Sequence, residues 1–570
     1  MSQTIIDVFK ESVDKYGKRD ALAFLSDKKY KTITYQALDN YRLQIAKWWQ
    51  DLGLKQGEKL AIMLPNSPEW VIADLAAASI GLNLVPVHST FNGAYLANLV
   101  NHAQADYLLI DQTNFAKHKD TINKLSFKKI FLVAKNNNPS FLTWPDLDSD
   151  LVVSIKQTNV KPDDLHIIIY TSGTTGDPKG VMLSQKNIVV DALSAIRRVP
   201  INHRDRFFSF LPLSHAFERM AGYYCPIFVG ASIYFAQSPK TMVDDIKLAK
   251  PTVLPSVPRI FEKIYEKIYD KIRNSGQMRK QLFYQAIDLA RAKRHGRLPW
   301  TQLIKYKVLN IVVLKKLRQI FGGSLRLAIS GGSSLNPMIG KFFENLGIKN
   351  IEGYGLTETS PIVAINKLDF YKYGTVGPAI DCNRIKIAED KEVLIKGDNV
   401  MLGYYNNPEA TTDAMTEDGW FKTGDLGFID KDGFLTIIGR AKDMIVLSTG
   451  KKVFPEPIEN VLNANKYISQ SMVYGSKNKH ISALIVPDKE ELAKWCQKVG
   501  LQFVWPEILE KAELKEFYQQ QITKALEHLA EIDQINHFKL LNEEFSQENG
   551  MLTLTLKLRR QQIFQKYIAP

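Results

Sequence analysis

Apolar and polar positions follow two different rhythms along this chain, and the change between them marks its organisation. From about Ala21 to Val400, short β-favouring apolar runs are each followed by a stretch with helical spacing. Lys59-Leu60-Ala61-Ile62-Met63-Leu64 precedes a helix expected from Ser67, and Tyr107-Leu108-Leu109-Ile110 follows another. Such alternation predicts parallel sheets covered by helices, an α/β fold of layered subdomains. From Lys386 the rhythm changes to short strands with Asp-Gly turns at Asp418-Gly419 and Asp432-Gly433, the mark of a β-rich portion. A smaller α/β portion containing Ala483-Leu484-Ile485-Val486 follows Arg440. The expected division is a large N-terminal domain over 1–439 and a small C-terminal domain over 440–570, with the boundary at Arg440 to Lys442.

Two apolar stretches test whether the chain meets a membrane. Met1 to Glu11 lacks the uninterrupted apolar core of a signal peptide and reads as an amphipathic helix. Trp70 to Val87 is the best spanning candidate, but it contains Asp74, Asn83 and Pro86 and breaks at Gly81. A buried helix followed by a strand fits it better. The expected location is the cytosol.

At 570 residues the chain exceeds the ~250–300 residues that one core supports, so several subdomains are expected. Its three cysteines, Cys225, Cys382 and Cys496, are too few and too scattered for a disulfide framework or a zinc site. The histidines are dispersed, with no His-Glu-x-x-His pattern. The net charge of +14 fits acidic ligands, an anionic surface, or a basic solvated face. Much of the excess lies in Arg291 to Arg318, just after Ile260, Ile264, Ile268 and Ile272, which recur at helical spacing. This insert reads either as a helical hairpin packed on the body or as a basic amphipathic element resting on anionic lipid.

The candidate chemistry begins at Tyr170-Thr171-Ser172-Gly173-Thr174-Thr175-Gly176-Asp177-Pro178-Lys179-Gly180. Glycines let backbone N–H groups approach a ligand, hydroxyls add donors, and Lys179 supplies a positive charge. Apolar Ile167-Ile168-Ile169 and Val181-Met182-Leu183 flank the loop, so it is expected to join two buried strands as a phosphate cradle. It is not a Walker A motif, because Lys179 follows Pro178 and precedes Gly180.

With this loop the chain resembles the AMP-forming adenylate ligases, the superfamily of acyl-CoA synthetases, luciferases and nonribosomal adenylation domains. Further matches occur in family order: Ile351 to Thr359, Trp420 to Asp425, Gly439 to Asp443, and Leu554 to Arg560. The resemblance implies a large N-terminal domain, a mobile C-terminal lid and an active site between them. It implies that Thr171 to Lys179 hold the β- and γ-phosphates of ATP, that Thr357 lies near the α-phosphate, and that Glu358 binds Mg²⁺ brought in with ATP. Asp425 and Arg440 would take the ribose. Gly331, Gly332, Ser333, Gly353, Tyr354 and Gly355 would surround the adenine, with Tyr354 stacking. Lys557 would carry adenylation, His215 would stand between the acyl and CoA channels, and Lys442 would be the hinge. Gly450 would line the pantetheine channel, where a small residue suits a narrow passage. Each residue also has a plain structural reading: a helix-start carboxylate for Glu358, a turn former for Asp425, a strand-edge lysine for Lys557, a satisfied core histidine for His215. The chain departs from the commoner family form at Ser333-Ser334, where Ala-Pro is usual, and at Leu554, where Pro is frequent.

Within the superfamily, the insert Ile260 to Ile320, the run Pro212 to Arg219 and the segment Ser448 to Glu459 resemble the long-chain fatty acyl-CoA synthetase branch. The expected activity is an ATP-dependent fatty acid:CoA ligase with ATP, CoA, Mg²⁺ and a fatty acid as ligands, and no nucleic acid. The alternatives are an acyl–carrier-protein ligase and a non-catalytic basic scaffold.

Overall fold

The computed structural model describes residues 3–134, 141–171, 179–238, 241–476, 478–546, 548–553 and 557–569. Two eight-stranded sheets form the centre of a large N-terminal domain. One runs, in spatial order, Gly403–Tyr404, Lys179–Ser184, Leu165–Thr171, Asn83–Pro86, Lys59–Met63, Tyr107–Asp111, Lys129–Val133 and Leu142–Thr143. The other runs Ile362–Ile365, Lys349–Gly355, Leu327–Ser330, Val253–Ser256, Arg206–Ser209, Ser232–Phe235, Asp20–Ser26 and Lys29–Thr34. The central strands of both are parallel. Their near-continuous apolar runs suit burial on both faces.

The expected buried helix spans Pro68–Ile80, opened by the Ser67 side chain accepting from the Trp70 N–H and closed by Gly81 at φ 74°. The strand Asn83–Pro86 follows. Asp74 is fully buried in that helix and accepts from the hydroxyls of Tyr223 and Tyr224, each at 2.8 Å. A buried carboxylate held by two phenols belongs to a protein core rather than to lipid. The N-terminal helix Ile5–Tyr16 carries a capping box between Thr4 and Asp7 and buries Ile5, Val8 and Phe9. No described helix is long and apolar enough to cross a membrane.

The β-rich portion is a four-stranded antiparallel sheet of Asn383–Ile387, Glu392–Gly397, Phe421–Ile429 and Leu435–Arg440. Asp432-Gly433 makes the turn between the last two strands, with Gly433 at φ 84°. After the short 3₁₀ turn Ala441–Asp443, a smaller C-terminal domain builds its own core on the strands Ile468–Tyr474, Ile481–Pro487 and Ile535–Leu540. The insert helices Pro258–Arg273 and Gln277–Arg294 bury Phe261, Ile268 and Phe283 in a separate core with Phe342 and Phe343.

Candidate active site

The expected site residues lie where several parallel strands end. The phosphate loop leaves Leu165–Thr171, His215 follows Arg206–Ser209, Gly331 follows Leu327–Ser330, and Thr357 follows Lys349–Gly355. Ligands of open α/β sheets sit in such a crevice, outside the carboxyl ends of the strands.

The two ends of the phosphate loop are fixed, since Thr171 pairs with Lys179 and Tyr170 with Gly180 across an antiparallel ladder. Ser172, Gly173, Thr174, Thr175 and Gly176 lie outside the described residues. The Lys179 ammonium sits 4.9 Å from the centre of the Tyr404 ring. The Tyr404 hydroxyl donates to Glu358 Oε1 at 3.0 Å, and the Met401 N–H donates to the Glu358 carbonyl at 2.8 Å. Tyr404 thus links the loop lysine to the carboxylate expected to meet Mg²⁺. Among the described residues no cluster of three His, Cys, Asp or Glu side chains forms a metal site. A single carboxylate beside a phosphate cradle fits Mg²⁺, which keeps phosphate oxygens and waters as its other ligands.

Thr357 and Glu358 stand in a 3₁₀ turn, Thr357–Thr359, directly after Gly355. A Cβ on Gly355 would lie 1.7 Å from the Pro361 carbonyl oxygen, so only glycine lets the chain fold back here. Gly355→Ala is expected to destabilise the protein by about 3 kcal/mol, the upper range for overpacking, since backbone cannot yield as a side chain does. A lower urea midpoint at unchanged slope is the measurement. A wild-type midpoint would contradict the packing seen here. Gly353 has ordinary clearance, its nearest neighbour being the Ala364 carbonyl oxygen at 3.4 Å.

Asp425 is buried, and each of its carboxylate oxygens has one partner, which leaves acceptor capacity on both. Arg440, its partner in register on the next strand, places Nε 2.9 Å from Oδ1, and the Tyr354 hydroxyl donates to Oδ2 at 2.7 Å. Burial, and next to it the Asp425 carboxylate, hold the Tyr354 phenol well above its ordinary pKa, so it stays a donor. The stacking role expected for Tyr354 is therefore joined by a polar one that fixes the carboxylate expected to take the ribose. Gly331 is buried against Phe217, whose ring would lie 2.8 Å from a Cβ there. Gly332 has φ +90°, and Ser333 is exposed.

The C-terminal domain closes over this crevice. Ser334 donates to Glu456 Oε1 at 3.3 Å and accepts from Asn460 Nδ2 at 2.8 Å, and the Arg259 guanidinium donates to the Ser469 carbonyl at 2.7 Å. Ser334 occupies one of the positions that depart from the family form, and here it serves the domain interface. Lys557, carried by the C-terminal domain, is exposed, and the groups that act on its ammonium include Arg440 and Asp425 of the large domain. Desolvation and then the Arg440 guanidinium pull its ammonium pKa below the ordinary lysine value, against Glu456, Asp425 and Asp443. Lys442 is exposed in the turn Ala441–Asp443.

His215 lies at the same end of the cleft. Burial and then the Lys557 charge push its pKa down to about 4, so the ring is neutral at physiological pH. Beside it stands His88, which the sequence reading passed over, with ring centres 6.0 Å apart. His88 Nδ1 accepts from the Thr90 N–H at 3.1 Å, so its proton sits on Nε2. Among the described residues, the buried Nε2 atoms of both histidines have no hydrogen-bond partner. The available signal was a histidine directly after the apolar strand end Val85-Pro86-Val87.

Gly450 lies in the exposed turn between Ile445–Val446 and Lys452–Val453 at φ +78°, and among the described residues no atom beyond its chain neighbours lies within 4 Å of a Cβ built on it. In this arrangement the left-handed backbone, rather than crowding, favours glycine there.

Comparison with known proteins matches residues 9–405 to the family described as AMP-binding enzyme and residues 442–533 to the AMP-binding enzyme C-terminal domain. The long-chain-fatty-acid--CoA ligase FadD15 of Mycobacterium bovis is 34% identical over 539 residues, covering 90% of this chain and 88% of that protein. The long-chain-fatty-acid--[acyl-carrier-protein] ligase AEE15 of Arabidopsis thaliana is 29% identical over 637 residues, covering 99% of this chain and 86% of that protein. Among solved structures, the adenylation domain of a carboxylate reductase from Mycobacterium chelonae shares the fold, with a TM-score of 0.79 at 21% identity over 99% of this chain and 90% of that one.

Proposed function

Because this chain belongs to the AMP-binding enzyme family, we propose that it is an AMP-forming long-chain fatty acid:CoA ligase. The fatty carboxylate attacks the α-phosphorus of ATP, pyrophosphate leaves, and the CoA thiol then displaces AMP from the acyl-adenylate. The observation that supports this reading is the Asp425 carboxylate, held by Arg440 at 2.9 Å and by Tyr354 at 2.7 Å in the domain over which the C-terminal domain, the carrier of Lys557, closes.

Adenylation brings two anions together, a carboxylate and a phosphate, so it needs fixed positive charge where they meet. Lys557 supplies it as a point charge. Asp425 accepts from the ribose hydroxyls while Arg440 and Tyr354 hold its orientation. Thr357 donates to the α-phosphate. Lys179 and the loop it closes receive the β- and γ-phosphates, and Tyr404 keeps Glu358 turned toward them. Mg²⁺ bound at Glu358 would neutralise phosphate charge. His215, neutral and without a partner at Nε2, positions the acyl carbonyl rather than acting as a base, because an acyl-adenylate already has a good leaving group.

The depressed Lys557 pKa gives a pH signature. The ammonium is the working form, so adenylation is present below that pKa and lost as pH rises through it. Fatty-acid-dependent pyrophosphate exchange should therefore fall at lower pH than an ordinary lysine, near 10.4, would impose. Lys557→Arg should keep residual exchange and move that fall upward, since a guanidinium stays charged above pH ~12. An unchanged alkaline limb in Lys557→Arg would remove this lysine from adenylation.

A carrier-protein thiol is the second acceptor to test, because the Arabidopsis relative named for that acceptor matches 99% of this chain. Product mass spectra with CoA and acyl carrier protein supplied separately, across short to very long acids, decide acceptor and chain length together. Acyl-CoA from long acids supports the proposal, and acyl-carrier protein alone overturns it.

A further inference from the structure

The end of the helical insert presents an apolar face to solvent. From Trp300 to Phe321 the chain runs through consecutive helical turns, with a π turn over Asn310–Leu314. Trp300 is 85% exposed, Ile304 75% and Ile311 61%, with Leu303, Val308 and Val312 also exposed. Their spacing puts Trp300, Ile304, Val308 and Ile311 along one side of the helical path. The opposite side buries Leu309, Leu314 and Phe321 in the core that holds Phe283 and Phe343. Arg318 fastens the element by donating to the Leu346 carbonyl at 2.7 Å and to Asn310 Oδ1 at 3.1 Å. The face is thus held outward by a packed scaffold.

Charge surrounds this face. Lys305, Lys307, Lys315 and Lys316 are exposed, and among the described residues none of them has an ion-pair partner. Two neighbouring basic residues of the insert are already engaged. Arg294 is paired with Glu344 at 2.5 Å, and the Lys293 ammonium lies 4.6 Å over the Tyr306 ring.

We propose that Trp300–Lys316 is a membrane-docking surface, which lays its apolar side chains into the interface of an anionic bilayer with the four lysines at headgroup level. An apolar centre rimmed by unpaired lysines is the chemistry that such an interface recognises. A nucleic acid would leave Trp300, Ile304 and Ile311 without apolar partners. A second copy docked face to face would set the lysines of each copy against those of the other. The docking is independent of the ligase reading, although a surface of this kind would place the enzyme where long acyl chains dissolve.

The test uses the full chain and sedimentation with phosphatidylcholine–phosphatidylglycerol vesicles against pure phosphatidylcholine vesicles. Binding is expected only to the anionic vesicles and should weaken with salt. Each lysine is worth about fivefold in partition, so Lys305→Gln, Lys307→Gln, Lys315→Gln and Lys316→Gln combined should lower it by more than a hundredfold. Trp300→Ser with Ile304→Ser should also release the protein at unchanged charge, while both variants keep wild-type melting and acyl-adenylate formation from a water-soluble acid. Failure of the wild type to bind anionic vesicles at low salt overturns the proposal. So does binding that ignores both variant sets. Tight, salt-sensitive capture of polyglutamate with no loss in the serine variant would assign the face to an acidic protein instead.

Discussion

Lys557→Ala should abolish ATP-dependent acyl-adenylate formation, by ~10²–10³ in rate, while leaving thioester formation from supplied acyl-adenylate within a few-fold of wild type. The asymmetry follows from where the charge stands. Lys557 stands on a C-terminal segment, and its ammonium feels the charges of Arg440, Asp425 and Asp443. In the proposed mechanism its ammonium stands where carboxylate and α-phosphate meet. The second half-reaction brings a neutral or thiolate sulfur to an already activated carbonyl and has no comparable need for it. The measurements are pyrophosphate exchange for the first step and acyl-CoA formation from synthetic acyl-adenylate for the second. Equal loss in both would mean that the lysine holds structure rather than a transition state, and the proposed role would fall.

Local features of this site were legible in the sequence because they are encoded within a few residues. The phosphate loop announces itself through its flanking apolar runs, and the structure joins their strands at Thr171 and Lys179. The helix after Ser67 has its cap and its Gly81 stop written beside each other, as does the turn at Asp432-Gly433. What the sequence withheld are contacts between distant segments. Nothing near Glu358 names Tyr404, which ties it to Lys179. His88 meets His215 only because two strands of different sheets end at the same cleft. Tyr354 was expected as an aromatic beside the nucleotide, and its hydroxyl bond to Asp425, which depends on how two sheets pack, was not foreseen. The insert shows the same limit. Its basic, amphipathic pattern was visible, yet only packing separates Arg294, consumed by Glu344, from the free lysines of the outer face.

Lys442→Pro should give the mirror image of Lys557→Ala, with pyrophosphate exchange retained and acyl-CoA formation reduced by ~10²-fold, the cost of a misplaced reacting group. The C-terminal domain carries both Lys557 and the Gly450 turn, and only Lys557 feels the charges of Asp425 and Arg440. The Gly450 turn is exposed, and among the described residues no atom beyond its chain neighbours lies within 4 Å of its Cβ position. If that turn serves a CoA channel, as the family resemblance implies, the whole domain would have to rotate, which would also withdraw Lys557. The domain hangs on the 3₁₀ turn Ala441–Asp443, immediately after the strand that ends at Arg440. Rotation about this turn requires a large change in backbone dihedrals. Proline holds φ near about −65° and resists it. The arrangement seen here, with Ser334 bonded to Glu456 and Asn460, would then be the pose the variant keeps, so adenylation survives. Acyl-CoA formation at the native rate in Lys442→Pro would place the pivot elsewhere or remove the need for two poses. Loss of both half-reactions, with a lowered melting temperature, would make the turn a structural support of the closed domain rather than its hinge.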